Sequence, residues 1–164
     1  MTIKRNRTAL IGFFVGMVLL AGCSSNQSSE QFSDLPLTEA ALRAPEWHSL
    51  QRYEALYPVD EARAGNSGCA TVEYVITPDY RITDVKTTHS TSRHFAQQAR
   101  QAITRLNFAN VASGILTEPV KTRTRFEFCL QNNDGDCAVS MLQQERHCQG
   151  TDVFFSIGSR VKRL

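Results

Sequence analysis

No apolar run in this chain is long enough to cross a bilayer. The longest, residues 9–20, has 12 residues, whereas a helix through the hydrocarbon core needs about 20. Cys-x-x-Cys pairs are absent too, and the cysteines after residue 60 are scattered from Cys69 to Cys148. That spacing argues against a compact zinc site, for which His147 beside Cys148 is the one suggestive pair. An excess of one charge is also missing: 18 Lys and Arg stand against 16 Asp and Glu. Residues 1–22 hold three of the cations and no anion, so the remainder carries 15 against 16. No polybasic case for nucleic acid survives.

What the chain does have begins at its start. Lys4, Arg5 and Arg7 precede the apolar run, the pattern of a secretory signal. The run ends in Leu20-Ala21-Gly22-Cys23, which resembles the lipobox of bacterial lipoproteins. The resemblance implies cleavage before Cys23, diacylation of its thiol, and attachment to a membrane through lipid. Ser24 follows with no Asp at that position, which by the same resemblance implies the inner leaflet of the outer membrane. The 142 residues left after cleavage are enough for one domain with a real core.

With Cys23 lipidated, Cys69, Cys129, Cys137 and Cys148 remain. An even number outside the cytoplasm reads as two disulfides, with three possible pairings. No metal and no cofactor is expected.

Residues 24–35 are rich in Ser, Asn and Gln, a flexible tether of at most about 40 Å. Residues 37–56 read as two helical pieces broken at Pro45, with Thr38 as an N-cap. Trp47, Leu50, Tyr53 and Leu56 would share one face, with Trp47 as packing. From Cys69 the period becomes two: Ala70, Val72, Tyr74 and Ile76 alternate with Cys69, Thr71, Glu73 and Val75, as in a strand covered on one side. Residues 77–80 form a turn. A second strand follows over residues 81–88, where the spacing of Ile82 and Val85 suggests a bulge. Ser90, Thr91 and Ser92 offer caps for a helix carrying Phe95, Ala99, Ala102, Ile103 and Leu106 on one face. Val120–Leu130 is a third strand, with Thr122, Thr124, Phe126 and Phe128 alternating with Lys121, Arg123, Arg125, Glu127 and Cys129.

The expected class is α+β: a three-stranded antiparallel sheet, order second–first–third, packed on one amphipathic helix. Cys69 starts the first strand and Cys129 ends the third, each on the polar face. Antiparallel neighbours would bring these ends together, giving Cys69–Cys129 and leaving Cys137–Cys148. The chain divides into a signal (1–22), a tether (23–35), a domain with an N-terminal helical segment (36–130), and a disulfide loop with a tail (131–164).

Tyr57-Pro58, Ala62-Arg63, Gly65 and Gly68, then Asp79, Ser90, Phe95, Ala99, Ala102, Phe108 and Pro119-Val120, form an ordered set over residues 57–130. It resembles the TonB C-terminal domain. Departures are Tyr80 where the family usually has Gly, Leu106 for a common Trp, and Ala109-Asn110 for Pro-Ala. The cysteines and the tail lie outside the family pattern. The resemblance implies that an extended peptide of an outer-membrane receptor adds to the edge of the third strand, at Thr122, Arg123, Thr124 and Arg125. There Lys121, Arg123 and Arg125 form a cationic stripe that either attracts acidic partners or blocks aggregation.

Val153, Phe155 and Ile157 alternate near the end, followed by Arg160, Lys162 and Arg163. This segment is either a further strand over the peptide edge or a strand exchanged with a second copy in a homodimer. A calcium loop at residues 132–136 fails, because Leu130 and Met141 fall where carboxylates are required. His89 and His94 flank hydroxyls that cap a helix, with no acidic orienting partner apparent nearby, so no catalytic residue is assigned. The leading reading is a non-catalytic, lipid-anchored periplasmic module binding envelope proteins or extended peptides, TonB-dependent receptors among them. The rivals are an energy transducer of the TonB class and a structural assembly lipoprotein. The transducer reading lacks the uncleaved inner-membrane helix and the long Pro-rich stalk that the family uses.

Overall fold

A computed structural model describes residues 32–131, 137 and 148–160. The three strands read from alternation are present. They are β2 (Gly68–Ile76), β3 (Ile82–Ser90) and β4 (Val120–Leu130), with β2 central and antiparallel to both neighbours. The helix expected after Ser90–Ser92 is α2 (Arg93–Thr104), and a short α1 (Val59–Ala64) precedes the sheet.

α2 forms where the apolar residues repeat at helical spacing, and Ser92 starts it by accepting a hydrogen bond from the Phe95 amide at 3.2 Å. Replacing such a cap typically costs about 1 kcal/mol. Phe95, Ala99, Ala102 and Ile103 then bury against Ala70, Val72, Tyr74, Phe126 and Phe128 of the sheet. Gly68 permits the close approach of the helix start: a Cβ there would lie 2.2 Å from the Phe95 ring. The expected bulge is seen as register shifts in β2–β3 pairing between Thr71 and Val72 and between Glu73 and Val75, with Asp84 at φ +49°.

Two further strands enlarge the sheet. Both run parallel to β4 along its outer side: β1 (Leu37–Glu39) pairs with Lys121–Arg123, and β5 (Val153–Gly158) pairs with Arg125–Leu130.

Three expectations need correction. Residues 37–56 contain no α-helix: they hold β1 and two 3-10 turns, Ala41–Arg43 and Pro45–Trp47. Ala40 is left-handed at φ +51° and Ala44 is extended, so no helix propagates through them. Thr38 lies in β1, and although Trp47 and Leu50 are buried, Tyr53 and Leu56 are exposed. Second, β2 is covered on both faces, because the segment from Cys148 lies over the side expected to be polar; Thr71 Oγ1 donates to Gln149 O at 2.8 Å there. Third, the disulfides are Cys69–Cys148 and Cys129–Cys137, with Cα separations of 6.2 and 5.8 Å. The returning tail, not strand adjacency, decides the pairing.

The turn after β2 carries the family departure at Tyr80, whose φ of +58° is a conformation that favours glycine. Its ring compensates by stacking on Phe108 at 5.6 Å and meeting Trp47 edge-on at 6.2 Å. Its hydroxyl donates to Ala112 O and accepts from the Ile115 amide.

Candidate functional site

β4 is the strand on which the family resemblance implies peptide binding, and its outer side is occupied by the chain's own segments. Backbone alternation sorts the groups: the Arg125 amide donates to Asp152 O and the Gln131 amide to Gly158 O, whereas the Leu130 amide turns the other way, to Ser67 Oγ. Odd-numbered residues of β4 therefore present their amides to the outer side. Lys121 and Arg123 face β1, and Arg125, Glu127 and Cys129 face β5.

The two halves are held very differently. β1 is three residues long. Thr122 Oγ1 donates to Thr38 O at 2.8 Å, and Arg123 is ion-paired with Glu39. Thr151 also donates to Glu39 Oε2, at 3.4 Å. The Arg123 guanidinium, with Thr151 assisting, outweighs the slight burial of Glu39 and holds its carboxyl below the ordinary value. β5 is six residues long and fixed at many points. Asp152 just before it is buried and accepts from both terminal guanidinium nitrogens of Arg52, and Thr124 Oγ1 donates to it at 2.7 Å. Thr124 in turn bonds the Tyr74 hydroxyl at 3.0 Å, and burial pushes that phenol's pKa up. Upstream, the Cys69–Cys148 bond ties the segment to β2.

Residues 52–57 lie across β5 and close its inner face. The Arg52 guanidinium sits 4.2 Å from the Phe154 ring centre, Ser156 Oγ donates to Ala55 O at 2.7 Å, and the Tyr57 ring covers Gly158. A Cβ at Gly158 would stand 2.5 Å from that ring, so the position needs glycine.

The cationic stripe is largely neutralised within the chain. Besides Glu39, Arg123 has Glu73 at 3.8 Å, and Arg125 pairs with Glu127 at 3.2 Å. Thr122 and Thr124 are buried. The open edge expected at residues 121–125 is thus a closed one, and access to it requires an exchange of strands. A polar cleft of about 320 Å³ lies beside it, lined by Glu73, Thr88, His89, Arg123 and Gln149.

His94, expected to lack an acidic partner, has one: its Nδ1 lies 2.9 Å from Glu61 Oε1, with Asp60 at 3.9 Å. Sequence separation hid this contact, which α1 makes as it packs beside the start of α2. Burial raises the Glu61 pKa, but hydrogen bonds from Ser92, Asn66 and His94 prevail and leave it lowered. Arg93 Nε donates to the other ring nitrogen at 3.3 Å, and Ser92 Oγ serves as the helix cap, so the cluster is a structural clasp. Among the described residues no group of three or more His, Cys, Asp or Glu could hold a metal ion, and no helix is long and apolar enough to cross a membrane. Cys23, Asn132–Asp136 and residues 162–163 lie outside the described residues.

Residues 53–130 match the family described as Gram-negative bacterial TonB protein C-terminal. No curated protein matches the chain. Among solved structures, the solution NMR structure of the Pseudomonas aeruginosa TonB C-terminal domain is 26% identical, over 49% of this chain and 85% of that one, with a TM-score of 0.38. Residues 53–130 are thus similar in sequence to the TonB C-terminal domain, and they carry an α+β fold whose strands and helix follow in the expected order.

Proposed function

We propose that this protein is a lipid-anchored, non-catalytic module on the periplasmic side of the outer membrane that captures extended segments of envelope proteins, TonB-dependent receptors among them. The TonB C-terminal-like domain supports an envelope- or transport-related role. The observation that carries the reading is β1. Three residues, Leu37-Thr38-Glu39, add in parallel to Lys121–Arg123 and place a carboxylate on Arg123. They are a template for an incoming strand that takes their place, its affinity drawn from main-chain hydrogen bonds. β5 leaves only this short half of β4 exchangeable, so the captured segment is short, parallel, and acidic opposite Arg123.

Photo-crosslinking from position 121 in living cells tests this. Crosslinks to outer-membrane proteins are expected, and Glu39→Lys, which loosens β1, should increase them. An absence of such crosslinks in both backgrounds would sink the reading. Mass spectrometry of the mature protein should show a diacylated Cys23 as its first residue; an unacylated start contradicts the anchor.

A further inference from the structure

We infer that the outer side of β5 is a second protein-docking edge, built to receive an extended, partly apolar segment with carboxylates at one end. The residues Val153, Phe155 and Ile157 alternate as a buried face should, yet they are not the buried set. Ser156 and Gly158 are buried, whereas Phe155 is 38% and Ile157 59% exposed. The exposed large apolar residues among those described are Tyr53, Leu56, Val59, Phe155 and Ile157. Phe155 and Ile157 lie on β5 itself, whereas Tyr53 and Leu56 belong to the stretch that covers its inner face and Val59 begins α1. Scattered apolar residues need no explanation, but Phe155 and Ile157, alternate residues on one face of an unpaired edge strand, are the pattern that an added strand covers.

The backbone agrees. Asp152 O and Gly158 O face β4, so the even positions of β5 bond inward. By alternation the N–H and C=O groups of Val153, Phe155 and Ile157 point away from the sheet, and no strand pairs with them among the described residues. Such a row is a template for strand addition, which soluble proteins normally blunt with Lys, Pro or a bulge. None of these occurs in Val153–Gly158. The charge nearby selects the partner. Arg160 is exposed just past the strand, and residues 153–160 contain no Asp or Glu. Asp152, the nearest acid before the strand, is spent on Arg52.

The test uses the full mature chain and a synthetic peptide of two Glu followed by alternating Val and Thr. Saturable shifts of the 153, 155 and 157 amides are expected by NMR, weakened by added salt. Ile157→Pro removes one outward donor without touching the β4 ladder, a position where a strand tolerates proline. It should weaken binding at least tenfold. Ile157→Thr, which keeps the donor, should weaken it less, and both variants should retain the parent's melting transition. The inference is overturned by no saturation at millimolar peptide, by equal affinity in Ile157→Pro, or by peptide-free dimers that Ile157→Thr dissolves, which would make a second copy the occupant.

Discussion

Arg52 and Asp152, 100 residues apart, form a bidentate ion pair beside the Thr124 hydroxyl. The pair locks the strand that follows Asp152 against β4. Removing one partner of so buried a pair leaves an uncompensated charge. Asp152→Ala should therefore cost about 3 kcal/mol or more. Chemical denaturation measures the loss, and hydrogen exchange should show it first at residues 153–158. Arg52→Met combined with Asp152→Leu should lose much less, because neither charge is then stranded.

The two disulfides should differ in their effect on stability. Cys69–Cys148 closes a separation of 79 residues and Cys129–Cys137 one of 8. Chain-entropy arguments give up to about 4.5 kcal/mol for the first and about 2.5 for the second. Paired Cys→Ala substitutions should follow that order. Non-reducing peptide mapping should recover the 69–148 and 129–137 fragments and no 69–129 link.

Acid should loosen β1 before the rest of the sheet. The Glu39 pKa is lowered in the folded protein, so its contribution is fully present above the unfolded value. It disappears as pH falls through the lower folded value, when the carboxylate is protonated and Arg123 loses its partner. The described pH dependence should be absent from Glu39→Gln when Lys121 and Arg123 amide protection is followed from pH 6 to pH 3.

Tyr80 should resist replacement by the family's glycine. Relief of the left-handed backbone is worth about 1 to 2 kcal/mol. Loss of the half-buried ring's contacts with Phe108 and Trp47, and of two hydrogen bonds, costs more. Tyr80→Gly should thus lower the melting temperature, and Tyr80→Phe should lower it by a smaller step.

Much of this fold was legible because period is a local property. Alternation marked β2 and β4, helical spacing marked α2, and the uneven gap between Ile82 and Val85 marked a bulge. β1 was not legible, since Leu37-Thr38-Glu39 carries no periodic signal and is extended only because β4 accepts it. β5 was legible as a strand from the alternation of Val153, Phe155 and Ile157, but its facing was not, because the cover over Phe154, Ser156 and Gly158 comes from Arg52, Ala55 and Tyr57, about 100 residues away in sequence. The disulfide pairing failed for a related reason, because it depends on the path of the returning tail. His94 and Glu61, 33 positions apart, likewise share no sequence signal.

Native-state hydrogen exchange along β4 tests most directly whether one half of the edge is exchangeable and the other permanent. The Lys121 and Arg123 amides, which face β1, should open at a small fraction of the global unfolding free energy. The Glu127 and Cys129 amides, which face β5, should open only near the global value. Equal protection along the whole strand, or faster exchange on the β5 side, would contradict the account.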